Sequence, residues 1–375
     1  MPKEVMLLRR LFMKLRYKYH YNLVICTLIL ALLGVLMIYS ASSYSAKLHY
    51  GDSLFYVKKQ AVALIFGIVV LVVGAKINLN LLLKAKWIIF IISVVLLAIV
   101  FIPSLGMESF GATRWINLGI VTFQPSEISK FGLMIFLAGY LAENPPTTFK
   151  KMIIPILSGL IICGLIILEP NMSITICVGM AMIIMLYIAG SQKKLFIIML
   201  VALAVLIPIL IILEPYRIKR IFAFIDPWKN PKAEGYQLIQ SYYALGGGGL
   251  FGVGLFASRQ KYLFLPFAES DFIFSVIGEE LGLVGAIAVI IVFMILIFSG
   301  INVAIKATDR YHTLLATGIT SIIALQSIIN IAVVSGAIPP TGVPLPYVSA
   351  GGTSLVVFMF VSGLLMNIAR SPKRI

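Results

Sequence analysis

The segment RQKYLFLPFAESDFIFSVIGEELG, residues 259–282, brings four carboxyl groups to the start of a long apolar run. They are Glu269, Asp271, Glu279 and Glu280, in a chain of 375 residues that has only 14 acidic residues. The sequence changes from polar to strongly apolar at Asp271, which predicts that this carboxylate lies at a boundary between water and membrane. An ionisable group is costly to keep there, so Asp271 is a candidate for function.

Composition indicates that the lipid bilayer is the main solvent of this chain. Apolar residues make up 61% of the sequence and charged residues 12%, whereas soluble domains average about 45–50% and about 25%. The net charge of +16 would suit a nucleic-acid partner, but the basic residues fall mostly in short connectors between apolar runs. We interpret them as topology signals and as contacts for anionic headgroups, so membrane lipids and no nucleic acid are the expected partners.

Ten apolar stretches predict membrane spans, the shorter of them with help from flanking residues, because a helix needs about 20 residues to cross a bilayer. The predicted fold class is an all-α polytopic membrane protein with about ten transmembrane helices, forming a single integral membrane domain over residues 1–375. The spans are residues 23–41, 55–73, 87–102, 128–141, 152–168, 173–188, 195–213, 272–298, 312–334 and 352–368.

The basic residues predict that both termini are cytoplasmic. Residues 1–20 contain six of them and residues 369–375 contain three. Together with the short connectors on the same side, they place 18 of the 30 basic residues in the cytoplasm. This bias follows the positive-inside rule and agrees with an even number of spans in the cytoplasmic (plasma) membrane.

Three outer segments are predicted to converge on one cavity: residues 107–127, 214–271 and 335–351. The second, between helices 7 and 8, is the longest connector, and its aromatic and aliphatic content predicts a large structured extracytoplasmic loop with an interfacial amphipathic helix. The third holds four prolines within residues 339–346, which exclude a regular helix. Irregular backbone at membrane depth is tolerated where it lines a polar cavity or is shielded by protein.

Six strings of sequence resemble one known family, in the same order along nearly the whole chain. Through them the chain resembles the SEDS glycosyltransferases of shape, elongation, division and sporulation, the family of FtsW, RodA and SpoVE. The form PLPYVSAGGTSL looks closer to the FtsW and SpoVE branch. The strings are FQPSEISK, YRIKRIFAFIDPW, GYQLIQSYYALGGGGLFGVGL, SRQKYLFLP, SDFIFSVIGEELG and PPTGVPLPYVSAGGTSL.

The resemblance implies a peptidoglycan glycosyltransferase that polymerises lipid II into a lipid-linked glycan on the outer face of the membrane, during division, shape maintenance or sporulation. Asp271 falls on the aspartate that the family is thought to use for chemistry. A carboxylate there can take the proton from the sugar hydroxyl that attacks the anomeric carbon. A class B penicillin-binding protein, a transpeptidase, is the implied protein partner.

The leaving pyrophosphate needs positive charge, from basic side chains or a divalent cation, Mg²⁺ or Mn²⁺. The resemblance places Arg114 and Lys130 around the cavity through the family's GAxRW and QPSExxK elements. Contact with lipid headgroups is an equal alternative for Arg217 and Arg220. No covalently bound cofactor is expected. The candidate substrate-binding residues are Lys59, Arg114, Gln124, Glu127, Lys130, Arg217, Arg220 and Glu279.

The chain departs from the family pattern at two sites. Where many members read LPEAHTD, it has Phe267 in place of the Glu and Glu269 in place of the His. The like charge of Asp271 would raise one of the two proton affinities, or a metal ion would bridge Asp271 and Glu269. Where members commonly read QPDLGT, Asn171 replaces the acidic residue, which puts a charged role there in doubt.

Other interpretations stay open at this point. A structural role is expected for at least one of Glu279 and Glu280, about two helical turns beyond Asp271. A flippase or transporter for lipid-linked precursor would also use polar residues and broken helices around a cavity, although no clear inverted repeat is present. A non-catalytic scaffold for division or sporulation proteins is the third alternative, and the charged and aromatic loop clusters weigh against it.

Overall fold

The computed structural model describes residues 3–103, 105–109, 112–117 and 122–370. Helices account for most of this chain, which confirms the all-α polytopic class. In chain order the elements are α1 (Lys3–Tyr50), α2 (Phe55–Lys76), α3 (Leu79–Lys84), α4 (Lys86–Ile99), β1 (Gly106–Ser109), β2 (Ala112–Asn117), β3 (Thr122–Phe123), α5 (Pro125–Glu143), α6 (Phe149–Leu168), α7 (Met172–Ile188), α8 (Lys193–Ile212), α9 (Pro215–Ile225), α10 (Tyr236–Gly248), α11 (Ile273–Ile305), α12 (Arg310–Val334) and α13 (Gly352–Arg370).

Each of the ten predicted spans falls on a helix of its own: α1, α2, α4 to α8 and α11 to α13. Among the described residues, seven of these helices are long and apolar enough to cross a membrane, and α4 and α7 are shorter apolar helices. The tenth, α5, is 19 residues long and carries Glu127 and Lys130 in its first turns. These charges are buried inside the bundle, where neighbouring helices replace both lipid and water.

The centre of the bundle and its rim differ in burial. Most residues of α5 and α13 are buried against other helices. Helix α8 has no buried residue although it is strongly apolar, so its surface is suited to lipid contact on nearly all sides. The helix therefore lies at the edge of the bundle, next to α7 and α9.

A small antiparallel sheet, ordered β1-β2-β3, lies within the first outer segment and adds strands to the helical class. In β1 and β2, Gly106 pairs with Ile116 and Met107 with Trp115. A hairpin satisfies backbone groups locally where the chain leaves the bundle after α4. The strand β2 also carries Arg114, so the sheet gives this cation a rigid support.

The segment between α8 and α11 is structured along its length. It contains α9, a short 3₁₀ helix at Pro227–Lys229, and α10, which ends inside the glycine run 246–249. Helix α9 is amphipathic: Arg217 is buried, whereas Phe222 and Ile225 are exposed. Such a helix suits a position along the membrane surface.

Helix α11 is broken at Gly282, whose backbone has φ 67° and ψ −170°. Segment 249–254 inserts at the break and makes the backbone hydrogen bonds that the helix lacks there. The break separates the part of α11 that follows Asp271 from the remainder of the span. The bonds join Leu283 N to Gly249 O, Val284 N to Leu250 O, Val253 N to Glu279 O and Gly254 N to Glu280 O, over 2.9–3.1 Å.

Candidate active site

The three outer segments meet around a cavity of about 1400 Å³ at one end of the bundle. The sheet and the start of α5 provide Arg114 and Gln124, α9 provides Arg220, and the segment before α11 provides Asp271. The proline-rich segment 338–344 also lines the cavity. Residues distant in sequence thus share one partly enclosed space, as the sequence predicted.

Asp271 is half-buried and lies two residues before the first residue of α11. The Ser270 hydroxyl donates to Asp271 Oδ1 at 3.0 Å. The side-chain amide of Asn330 donates to the backbone carbonyls of Asp271 and Val343, at 2.8 and 2.7 Å. This amide ties the segment before α11 to the proline-rich segment, so the backbone that carries the carboxylate is held from two sides.

The surroundings of Asp271 act on its proton affinity in opposite directions. Burial raises the pKa of the Asp271 carboxyl, while the Ser270 hydrogen bond and the cations Arg220 and Arg114 lower it. Burial is the larger effect, so the pKa lies above the ordinary aspartate value. A carboxylate made more basic in this way is better suited to accept a proton from a hydroxyl group.

Arg114 reaches the cavity from β2, and its guanidinium is oriented by backbone carbonyls. Its Nε donates to Glu169 O at 2.9 Å and its Nη2 to Pro170 O at 2.6 Å. Both carbonyls belong to the turn between α6 and α7. The predicted cation is therefore present at the cavity wall, in an orientation set by that turn.

Arg217 and Arg220 both line the cavity from α9. Arg217 Nη1 donates to Leu210 O near the end of α8 at 2.6 Å, so it also satisfies a carbonyl at that helix terminus. Arg220 Nη1 donates to Pro340 O in the proline-rich segment at 3.2 Å. Both residues thus border the cavity and both guanidinium groups bond to backbone carbonyls, so substrate contact by either arginine stays a prediction.

Lys130 is fully buried and is not among the residues that line the cavity. Its Nζ lies 2.8 Å from Glu127 Oε2 and 2.7 Å from Gln326 Oε1 on α12. Glu127 does line the cavity. The structure therefore corrects the expected direct phosphate contact: Lys130 neutralises and orients Glu127, because the i,i+3 spacing puts both on one face of α5.

Lys59 and Glu279 lie outside the cavity, which corrects two predicted substrate contacts. Lys59 is exposed on α2, with Nζ 4.3 Å from the centre of the Phe55 ring. Glu279 is buried beneath the loop before Asp271, where it accepts hydrogen bonds from the Ser258 hydroxyl and from Arg259 N. Two helical turns carry Glu279 away from Asp271 and under this loop.

Glu280 has a similar structural role on the next residue of α11. It accepts hydrogen bonds from the Ser40 hydroxyl of α1 and from the backbone N–H groups of Phe256 and Ser258. The structural role expected for at least one glutamate of the pair is thus observed for both. Together they fix the loop over residues 256–260 against α11.

Glu269 lines the cavity two residues from Asp271. Burial, and after it the Asp271 charge, raise the pKa of Glu269. Its backbone carbonyl accepts from Ala350 N at 2.9 Å. Within the described part of the chain, no group of three or more His, Cys, Asp or Glu side chains is arranged to hold a metal ion. Two carboxylates, with water and phosphate oxygens, are nevertheless a donor set that suits Mg²⁺.

The cavity also contains polar residues that sequence reasoning did not select. His49 and Tyr56 line it from α1 and α2, and Tyr216 from α9. Asn171 lines it and caps α7, accepting from Ile174 N at 3.4 Å. Of these residues, only Asn171 could be singled out from the sequence, by its place in a family motif. His49, Tyr56 and Tyr216 lie in apolar or basic stretches, which do not indicate the direction of a side chain.

Comparison with known proteins gives consistent matches over nearly the whole chain. The family described as Cell cycle protein, comprising FtsW, RodA and SpoVE, matches residues 20–374. Stage V sporulation protein E of Bacillus subtilis is 40% identical, over 93% of this chain and 96% of the relative. A probable peptidoglycan glycosyltransferase FtsW of Geobacter sulfurreducens is 37% identical, over 94% and 96%.

Solved structures share the fold. A chain from a peptidoglycan synthase complex that coordinates polymerization and crosslinking superposes with a TM-score of 0.78 and 27% identity, covering 93% of this chain and 97% of that chain. The rod shape determining protein RodA of Thermus thermophilus superposes with a TM-score of 0.69 at 24% identity, over 93% and 96%. At that identity the second match supports the fold alone.

Proposed function

Because the chain belongs to the FtsW, RodA and SpoVE family of cell cycle proteins, we propose that it is a peptidoglycan glycosyltransferase that polymerises lipid II into glycan strands. The observation that carries the proposal is the meeting of Asp271, Arg114 and Arg220 in one cavity. A basic carboxylate beside two cations provides a proton acceptor next to a site for a pyrophosphate. A relative named as a probable peptidoglycan glycosyltransferase is similar over 96% of its length, which supports the same reaction here.

Asp271 is proposed as the general base. The sugar hydroxyl oxygen of one substrate attacks the anomeric carbon of the other, and its proton passes to an Asp271 carboxylate oxygen. The bond from the anomeric carbon to the pyrophosphate oxygen breaks, and the pyrophosphate leaves with the electron pair. Arg114 and Arg220 stabilise the charge that develops on this leaving group.

Asp271 and Glu269 would hold a divalent cation, if one is used. Bound there, Mg²⁺ or Mn²⁺ would supply further charge neutralisation for the pyrophosphate. Gln124 and Glu127, which also line the cavity, offer amide and carboxylate groups for sugar or peptide contacts. The apolar wall of the cavity includes Ile207 of α8, which supports a lipid-linked substrate whose chain extends into the bilayer.

The cavity is proposed to open to the outer face of the membrane, with both termini in the cytoplasm. Lys86 and Glu143 form an ion pair of 2.5 Å at the end of α5 remote from the cavity, and Arg310 contacts Leu141 O at the same end. These basic residues fit the cytoplasmic side by the positive-inside rule. A class B penicillin-binding protein is the proposed partner, because the solved complex of similar fold couples polymerization to crosslinking.

The decisive experiment compares wild type with Asp271→Asn, each purified with the transpeptidase partner and supplied with lipid II in detergent. We expect Asp271→Asn to lose glycan synthesis by about 10²- to 10⁴-fold, because the base is removed while the shape is kept. Asp226→Asn, an exposed aspartate on the same long loop, is the matched control and should keep full activity.

Two other outcomes would change the assignment. Equal polymerisation by wild type and Asp271→Asn would exclude Asp271 as the base. Absence of polymer from the wild type, together with passage of labelled lipid II across liposomes that contain it, would favour the transporter alternative.

A further inference from the structure

Glu169 is a fully buried carboxyl group that the proposed mechanism does not use. It follows α6, and neither of its carboxyl oxygens has a hydrogen-bond partner among the described residues. The next two residues, Pro170 and Asn171, line the cavity. An unpaired acid this deep and this close to the site needs a physical explanation, because an isolated buried charge is strongly unfavourable.

Arg114 is the cation that acts electrostatically on the Glu169 carboxyl group. Its guanidinium donates to the backbone carbonyls of Glu169 and Pro170 at 2.9 and 2.6 Å. No ion pair within 4.0 Å joins it to the Glu169 side chain among the described residues. Arg114 also lines the cavity and lowers the pKa of Asp271. The Arg114 guanidinium therefore has two possible partners: a ligand in the cavity and the buried Glu169 carboxyl group.

The environment of Glu169 favours its neutral form. Burial raises the pKa of Glu169 to about 8, against the opposing effects of Ser126 on α5 and Arg114 on β2. The Ser126 hydroxyl is near enough to favour the charged form, yet makes no hydrogen bond of good geometry. The other charged or titratable groups around Arg114 are Tyr216 and Arg220 on α9 and Asp271.

Ionisation of Glu169 would change this arrangement. A buried carboxylate requires a paired cation, and Arg114 is the one whose guanidinium already touches the backbone of the same residue. A guanidinium that turns toward the carboxylate is no longer free to contact a phosphate in the cavity with both of its outer nitrogens. The Glu169 carboxylate and a phosphate in the cavity would thus compete for the Arg114 guanidinium.

We propose that Glu169 is a positioning residue for Arg114: neutral Glu169 leaves the guanidinium available to a pyrophosphate in the cavity, and ionised Glu169 withdraws it. The ligand in this inference rests on the proposed function, whereas the coupling of Glu169 to Arg114 does not. By linkage, binding of a pyrophosphate favours neutral Glu169, so the protein takes up a proton on binding near pH 8.

The first test follows Trp115, which neighbours Arg114 in β2 and lines the cavity. Trp87→Phe and Trp228→Phe leave Trp115 as the single tryptophan of the full chain in detergent. Its emission should titrate with a midpoint near pH 8, and Glu169→Gln should remove that titration. Glu143→Gln, the same change at the far end of α5, should leave it intact. An unchanged titration in Glu169→Gln would overturn the proposal.

The second test measures binding of farnesyl pyrophosphate, a short polyprenyl pyrophosphate, as a function of pH. In wild type the Kd should rise by about tenfold between about pH 7 and about pH 9, as expected for one coupled ionisation. In Glu169→Gln it should stay nearly constant over the same range. Equal pH dependence in both proteins would reject the coupling.

A measurement on the wild type alone covers the case in which Glu169→Gln does not fold. Calorimetric titration with farnesyl pyrophosphate at pH 8, in two buffers of different ionisation enthalpy, should show net proton uptake. Proton release or no transfer would contradict the proposal. If the wild type makes no glycan polymer but its Trp115 emission still titrates near pH 8, the proposed function is rejected and the coupling of Glu169 to Arg114 is retained.

Discussion

Single residues in this protein show how partners decide whether a buried charge is structural or functional. Lys130 is fully buried but has Glu127 and Gln326 within hydrogen-bond distance. Glu279 is buried and receives hydrogen bonds from a loop. Glu169 is equally buried and has no such partner among the described residues. The first two therefore hold elements together, whereas the third is free to respond to pH and to ligand.

Lys130→Met should destabilise the protein strongly, because it leaves the Glu127 carboxylate buried and uncompensated. Breaking a buried ion pair costs about 3–5 kcal/mol. Thermal unfolding in detergent should show a clear loss for Lys130→Met and a partial recovery in the double variant with Glu127→Gln. Lys59→Met, on the exposed face of α2, is the matched control. Equal unfolding temperatures for the two single variants would disprove the structural role of the pair.

Glu169→Gln should make stability less dependent on pH. The pKa of Glu169 is about 8 in the folded protein against an ordinary value of 4.5, so the folded state binds more protons between these two values. Wild-type stability therefore falls as pH rises through this window, and the loss is complete above about pH 8. The unfolding temperature of wild type relative to Glu169→Gln should decrease steadily from pH 5 to pH 8. A constant difference would show that Glu169 ionises normally.

At the level of secondary-structure elements, irregular segments supply backbone hydrogen bonds that broken helices lack. Helix α11 is interrupted at Gly282, and segment 249–254 supplies the missing backbone partners. The loop over residues 256–260 is then fixed by Glu279 and Glu280. This arrangement connects α10 to the helix that follows Asp271, so the position of the catalytic candidate depends on backbone contacts far from it in sequence.

Gly282→Ala should disrupt this junction. The residue has φ 67°, which favours glycine, and an added Cβ would meet the backbone of Gly252 and Leu250. We expect a loss of at least about 1–2 kcal/mol and faster amide hydrogen exchange over residues 249–260. Gly164→Ala is the control, because its Cβ would meet no atom within 4 Å and α6 is helical there. Equal exchange in both variants would contradict the proposed contacts.

The whole molecule divides its charges between two ends of an apolar bundle. One end has the cavity with Arg114, Arg217 and Arg220 around Asp271. The other has the Lys86–Glu143 ion pair and Arg310. Between them, helices such as α8 present apolar surface on nearly all sides. The orientation of the bundle in the membrane then decides which face of the cell has access to the cavity.

Cysteine labelling should test that orientation. In a background with Cys26, Cys163 and Cys177 replaced by alanine, Lys232→Cys in the exposed long loop should react with a membrane-impermeant maleimide in intact spheroplasts. Lys151→Cys, exposed at the start of α6, should react only after permeabilisation. The reverse pattern would place the cavity on the cytoplasmic side and refute the proposed topology.

Some site residues could be predicted from local sequence chemistry, whereas the position of others depends on tertiary packing. Asp271 and Arg114 stand in patterns of polarity and family motif that a sequence displays. Lys59, Lys130 and Glu279 have side chains that could bind substrate equally well. The direction of each side chain, however, depends on its helix face and on neighbours from other elements. Glu169 lies two residues before Asn171, where the sequence departs from the family pattern. Its lack of hydrogen-bond partners could not be predicted, because it depends on how the turn after α6 packs against α5 and β2.

Local sequence patterns were enough to predict the membrane class, the ten helical segments and the acidic position before α11. These depend on transfer of contiguous apolar side chains from water to lipid, which is a local property of composition. Three features became visible only in the folded chain: which cations reach the cavity, the break in α11 that segment 249–254 completes, and the burial of Glu169 next to Arg114. Each of these depends on hydrogen bonds and desolvation between residues far apart in the chain, which no local pattern encodes.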